Sequence, residues 1–283
     1  MCVAAVAWQA HPRWLLVAIG NRDEYHERPA APLARWPNGI IAGRDLKSGG
    51  TWLGLTEAGR FALVTNRRGF GDPDPGPDPG PDPGPDPGPD PGPDPGPDPG
   101  PDPGPNPGKV SRGELVSHQL LAMGRYGDPA TAALGDFNPF NLIVADAAQA
   151  HFLSNRPDHI RTALPHGIYG LSNGALDEPW PKTLQLKAAL TDWLNADTAD
   201  QAPLFAALAS EMLGKMGIHT TTPSDVPLEA PETPPFIRNP IYGTRCSTVV
   251  IIDRQGLGTI TERRFDAWGE PAGETSLSFA WPH

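Results

Sequence analysis

Five short apolar runs, almost unbroken by polar residues, constrain this chain most: CVAAVAW (2–8), WLLVAIG (14–20), FALVTN (61–66), NLIVAD (141–146) and STVVIID (247–253). Each has the length and the branched side chains of a strand. A strand that is apolar at successive positions must be covered on both faces. Gln9–Arg13 separates the first two runs by a hairpin's length, and GGTWLGLTEAGRFALVTN (49–66) reads as a second hairpin turning at Glu57-Ala58-Gly59. Antiparallel strands buried on both sides need another sheet on one face and helices on the other. The expected fold class is therefore α+β, a four-layer αββα sandwich.

The helices carry their own punctuation. Ser111-Arg112-Gly113-Glu114 has the S-x-x-E form of a capping box ahead of Leu115, Val116, Leu120 and Met123, with Gly124 as the stop. A second helix is expected from Pro179–Pro181 to Asn195, burying Leu184, Leu186, Leu190, Trp193 and Leu194. A third is expected from Ala202 to Leu213, with Leu204, Phe205, Leu208 and Met212 inward. Residues 220–235, rich in proline, threonine and acid, read as a loop.

From Gly71 to Gly108 the chain repeats a Pro-Asp-Pro-Gly unit, which holds 18 of its 37 prolines. Alternate residues lack an amide proton and have fixed φ, so neither a helix nor a central strand is possible. The expectation is a disordered low-complexity insertion at 71–108 inside a single 1–283 domain, polyproline-like and broken by Pro-Gly turns. Its aspartates, four apart, would stand ~12 Å from one another when extended, which is poor spacing for calcium.

The repeat also explains the charge. It carries nine of the 33 acidic residues and none of the 22 Lys and Arg, so the formal net charge of −11 is largely local. The remainder is close to neutral and offers no basic field for nucleic acid. No run reaches the ~20 apolar residues of a membrane span. The apolar start lacks a basic flank and is interrupted at His11, Pro12 and Arg13, so no signal peptide is expected. Two cysteines far apart make no disulfide framework, and eight scattered histidines form no zinc or haem-attachment motif. A reducing, cytoplasmic setting is expected, with no metal and no cofactor.

Cys2 stands directly behind Met1. Removing Met1 would leave a thiol and a free α-amine on one residue. Such an amine ordinarily titrates at about 7.7–8.0, which makes it a base within reach of the thiol. Cys2 also fits as a small apolar packing residue. Asn21-Arg22-Asp23-Glu24 follows WLLVAIG, where the second strand is expected to end. Hairpin pairing brings Arg22 and Asp23 to the start of the first strand, beside Cys2. Cys246 reads as core, Trp52 and Trp180 as packing or pocket-lining residues, and His166 as a surface imidazole.

An ordered set of motifs resembles one family. Cys2, NRDE (21–24), Arg28-Pro29, GGTWLG (49–54), TNRR (65–68), SRGEL (111–115), FNLIVAD (140–146), YGLSN (169–173), PWPK (179–182) and RCSTV (245–249) match the NRDE family, also called the transport and Golgi organisation protein 2 family. The resemblance runs from Cys2 to about Asp253 and omits only the repeat. It implies a fold like that of N-terminal-nucleophile hydrolases, nearest the cysteine branch of bile-salt hydrolases, penicillin V acylases and acid ceramidase.

By that resemblance Cys2 matches the nucleophile, and Arg22 and Asp23 match the arginine and aspartate near the end of strand two. Asn66 and Asn173 match the oxyanion asparagines, and Arg245 the late arginine. In those hydrolases two residues separate the arginine from the aspartate. Here the two are adjacent, and adjacent side chains of a strand point to opposite faces, so one of them is expected to be displaced. The implied activity is a cysteine amidohydrolase acting on an amide or thioester of a small or acyl-chain substrate. The alternative is a non-catalytic lipid- or haem-binding protein using the same pocket, haem being then a carried ligand, since eukaryotic members are linked to lipid homeostasis, Golgi organisation and haem trafficking.

Overall fold

The computed structural model describes residues 2–67, 108–213 and 233–282. Most of the proline repeat and most of the 220–235 loop lie outside the described residues. The chain forms β1 (Cys2–Trp8), β2 (Trp14–Tyr25), β3 (Ala30–Arg35), β4 (Ile40–Asp45), β5 (Leu53–Thr56) and β6 (Arg60–Asn66), then α1 (Arg112–Leu121). There follow β7 (Phe140–Ala145), β8 (Ala150–Ser154), β9 (Ile160–Ala163) and β10 (Gly167–Leu171), then α2 (Pro181–Asn195) and α3 (Ala202–Leu208). Three strands finish the described chain: β11 (Tyr242–Asp253), β12 (Leu257–Phe265) and β13 (Pro271–Ala280).

The strands make two antiparallel sheets, one ordered β10-β1-β2-β11-β12-β13 and the other β3-β4-β5-β6-β7-β8-β9. The apolar runs are unbroken because each strand packs on both sides. On β1, Ala4, Val6 and Trp8 meet Leu55, Leu63 and Ile143 of the second sheet. Val3, Ala5 and Ala7 alternate with them and pack under Leu186, Leu190 and Trp193 of α2 and Leu204 of α3. On the far side, Ala62, Val64 and Leu142 of the second sheet are covered by Leu115, Val116 and Leu120 of α1. The layers therefore run helix, sheet, sheet, helix.

Three boundaries differ from the sequence expectation. β2 does not end before NRDE but runs through it to Tyr25, because β11 pairs with it as far as Tyr242↔Tyr25. α1 stops at Ala122, which takes a left-handed φ of 52°, before Gly124 is reached. α3 stops at Leu208, well short of Leu213. There the buried Asn21 side chain donates to the Leu208 carbonyl (2.8 Å) and the Pro235 carbonyl (2.7 Å), supplying a partner that continued helix would otherwise provide. The first residue of NRDE thus ties the end of a helix to the sheet.

Candidate active site

Cys2 opens β1, and the strand register builds the site around it. Cys2 lies opposite Arg22 on β2, Arg22 opposite Cys246 on β11, and Cys246 opposite Arg264 on β12. Directly opposed residues share a face, and on this sheet that face is the one carrying Ala4, Ala18 and Val250 towards the second sheet. A cavity of about 490 Å³ opens between the sheets at this end, lined by Cys2, Arg22, Asn66, Arg245, Cys246 and Arg264 among others.

Hydrogen bonds on the neighbouring strands hold Cys2. Ser172 Oγ donates to the Cys2 carbonyl (2.8 Å). Thr65 Oγ1 in turn donates to the Ser172 carbonyl (2.6 Å), and Asn141 Nδ2 to the Gly174 carbonyl (2.8 Å). The Asp23 backbone amide hydrogen-bonds to the Cys2 sulfur, but burial dominates and pushes the thiol above its ordinary value. At neutral pH the resting group is thiol, and a base is needed to make it a thiolate.

Arg22 and Asp23 do face opposite ways. Arg22 points into the cavity, where Nη2 meets Asp45 Oδ2 of β4 (3.0 Å) and Glu24 Oε2 (3.5 Å). Asp45 also receives Arg28 Nε (2.6 Å) and the amides of Lys47 and Ser48 at 3.0 Å. Burial would raise the Asp45 pKa, but the Ser48 amide and the Arg28 and Arg22 guanidinium groups outweigh it and hold the carboxyl below its usual range. Asp23, buried, accepts from Thr244 Oγ1 (2.7 Å), while Tyr242 Oη donates to its carbonyl (2.9 Å). Desolvation raises its pKa to about 6 against the pull of the N-terminal ammonium, Thr244 and Lys182. Asp23 still borders the cavity at the strand's end.

The two asparagines are placed differently. Asn66, at the end of β6, lies on the cavity wall, and its side chain makes no hydrogen bond among the described residues. Asn173 is fully buried and does not line the cavity, and its Nδ2 donates to the Asn66 backbone carbonyl (2.8 Å). Arg245 sits in a β-bulge of β11, where the register slips between Thr244 and Cys246, and Nη1 donates to the carbonyls of Tyr25 (2.7 Å) and Arg28 (3.0 Å). Burial lowers its pKa, with Arg22 adding to the effect.

Sequence reasoning missed four cavity residues. Cys246, read as core, is indeed buried but stands on the cavity side between Arg22 and Arg264. Glu262 is buried between the sheets, where it accepts from the Leu33 amide (2.8 Å) and from the Cys246 thiol, and desolvation raises its pKa. Asp45 and Arg264 were not singled out either. TERRF on β12 has a charged residue at three successive places and looks like a solvated strand. The signal it carries is the alternation that turns Glu262 and Arg264 to the same face.

Trp52 and Arg112 line the cavity, whereas Trp180, His166 and the other histidines do not. Among the described residues no cluster of His, Cys, Asp or Glu has the makings of a metal site, and no helix is long and apolar enough to cross a membrane.

The sequence matches the family described as Transport and Golgi organisation 2 over residues 1–81 and 97–267. It is 26% identical over 288 residues to the human "Transport and Golgi organization protein 2 homolog" and 29% identical over 288 residues to that of Bos taurus; each alignment covers 93% of this chain and 92% of the relative. A solved structure of the C2A mutant of conjugated bile acid hydrolase from Clostridium perfringens aligns with a TM-score of 0.48 and 8% identity, covering 100% of this chain and 97% of that one. On the extent of the family match, the chain belongs to the Transport and Golgi organisation 2 family.

Proposed function

We propose that this protein is a cysteine N-terminal-nucleophile amidohydrolase with Cys2 as nucleophile, acting on an amide or thioester of a small or acyl-chain substrate. The observation that carries the reading is the placing of Cys2. It is the first residue of a strand, its side chain opens on a cavity of about 490 Å³, and its sulfur meets the Asp23 amide. The αββα layering and the family membership support it.

Hydrolysis of the Met1–Cys2 bond leaves an α-amine on Cys2. In its neutral form the amine takes the thiol proton as the sulfur attacks the substrate carbonyl carbon. A carbon–sulfur bond forms and the carbonyl π pair moves onto oxygen. The Asn66 side-chain amide is the donor available to that oxyanion. The ammonium then gives its proton to the leaving nitrogen or sulfur as its bond to carbon breaks. A thioester on Cys2 remains, which water cleaves by the same proton relay. Asp23, in its ionised form, orients the amine and steadies its charged form. Asn173 acts through Asn66 as a positioning residue, and Arg22 and Arg245 set a positive field over the carbonyl.

The intact mass of the purified protein and labelling by a thiol-reactive acyl probe test the proposal. Loss of one methionine is expected, with labelling abolished in Cys2→Ala and kept in Cys246→Ala. Retained Met1, or stoichiometric lipid or haem binding that Cys2→Ala leaves untouched with no labelling of the parent protein, would replace the enzyme with a carrier.

A further inference from the structure

The cavity holds seven Lys and Arg side chains against four Asp and Glu, in a chain whose formal net charge is −11. Two of its guanidinium groups carry a buried N–H with no acceptor among the described residues. Arg22 commits Nη2 to Asp45 and Glu24, yet its Nη1 is buried without an acceptor. Arg264 makes no hydrogen bond or ion pair among the described residues, and its Nε is buried without an acceptor as well. A buried N–H that goes unpaired is costly, more so on a charged group, so an acceptor is the missing component at both places.

The register fixes where that acceptor sits. Arg22 and Arg264 lie opposite Cys246 from either side, on one face of the sheet. Cys2 is on the other side of Arg22, so the ground between the two guanidinium groups is about two strand spacings, roughly 10 Å, from the nucleophile. Among the described residues the carboxylate there is Glu262, which accepts from the Leu33 amide and the Cys246 thiol and feels the charges of Arg264 and Arg22 without hydrogen-bonding to either.

We propose that Arg22 and Arg264 form an anion subsite over Cys246 that takes a carboxylate on the substrate, remote from the bond cleaved. Guanidinium groups suit a carboxylate, whose two oxygens can accept from Arg22 Nη1 and Arg264 Nε, which no acceptor among the described residues satisfies. Arg264 is then a specificity-determining residue, selecting ω-carboxylated ligands over neutral chains of the same length. The assignment rests on the cavity being the substrate site, but its test reads binding and needs no turnover.

Calorimetry on Cys2→Ala compares three unreactive ligands: suberic acid monoamide, its methyl ester and octanamide. The monoamide is expected to bind at least tenfold more tightly than the other two. Adding Arg264→Gln removes that margin and leaves octanamide binding unchanged, whereas Arg264→Lys, which keeps the charge without the fork, restores part of it. Arg264→Lys keeps the charge that faces Glu262, so its melting temperature should match that of the parent. Three ligands that bind alike, or none that binds, would overturn the subsite, as would Arg264→Gln weakening octanamide and monoamide equally. A carboxylate preference without any acyl-probe labelling of the parent would instead overturn the hydrolase and leave the subsite standing.

Discussion

Arg22 of the first sheet and Asp45 of the second meet at 3.0 Å with side chains only 11% and 10% exposed, an ion pair that joins the two sheets at the cavity. Arg28 reaches the same carboxylate oxygen at 2.6 Å. Glu24 Oε2 stands 3.5 Å from Arg22 and 3.6 Å from Arg28, so two acids share two cations where the sandwich opens, with Asp45 the closer partner of each.

Among the described residues, removing Asp45 leaves both arginines with Glu24 alone. Asp45→Ala is expected to cost about 1.5–3 kcal/mol, the usual result of losing hydrogen bonds to a charged group. Because the folded carboxyl titrates below its ordinary value, its contribution is complete above the unfolded-state pKa of about 3.9 and is lost as pH falls through the lower folded value. Urea titrations of parent and variant at pH 7 and pH 3 check this. A stability gap that stays constant on acidification would show that the pair contributes no charge-dependent stability.

Asp23 has the opposite sign. Its folded pKa of about 6 exceeds its ordinary value of 3.8, so the folded protein binds the proton more tightly than the unfolded chain. Stability from this group is full below about pH 4 and falls as pH rises through about 6, by about 3 kcal/mol for a shift of this size. Asp23→Asn is expected to melt higher than the parent at pH 7.5 and close to it at pH 4, while acyl-probe labelling drops. Parallel melting curves across that range would mean that ionising Asp23 costs the fold nothing.

The sequence made the core legible and the site only in part. β1 and β2 could be read as a hairpin because five residues join two unbroken apolar runs. The continuation of β2 through NRDE could not, since four polar side chains look like a strand's end unless the pairing of β11 is known. The same blindness hid β12 and β13, whose alternating polar residues match exposed edge strands. Cys2, Arg22, Asp23 and Asn66 came from one local motif each. Asp45 comes from β4 and Glu262 and Arg264 from β12, strands of different sheets, and only the register and the packing of the sheets bring them to one cavity.

Asn66 and Asn173 are expected to behave differently on truncation. The Asn66 side chain is free of hydrogen bonds among the described residues, so Asn66→Ala should leave the melting temperature near that of the parent. Loss of an oxyanion donor typically costs ~10²–10³ in rate, and acyl-probe labelling should fall by that order. Asn173 Nδ2 is bonded to the Asn66 carbonyl in a fully buried place, so Asn173→Ala should cost about 1–3 kcal/mol of stability. Measuring both quantities on both variants separates donor from support. A rate loss confined to Asn173→Ala would exchange their roles.

The close approach of two motifs gives the last expectation. Gly50 of GGTWLG lies against Gly113 of SRGEL, and a Cβ on Gly50 would fall inside the Gly113 backbone, 2.7 Å from its Cα. The reverse contact is looser, since a Cβ on Gly113 would meet the Gly50 Cα at 3.2 Å. Backbone cannot give way as a side-chain tip can, so Gly50→Ala must push α1 from the sheet, at an overpacking cost of about 1–3 kcal/mol. Gly113 stands in the first turn of α1, where alanine is favoured over glycine by up to ~1 kcal/mol, which offsets the milder crowding. Gly113→Ala should therefore be near neutral. Thr51 and Trp52 on one side and Ser111 and Arg112 on the other line the cavity, so Gly50→Ala should also weaken ligand binding by parting its wall. Urea titration of the two variants tests the asymmetry. Equal losses would show that the tight spot relaxes from either side, and that the motifs are not brought together by the absence of this one side chain.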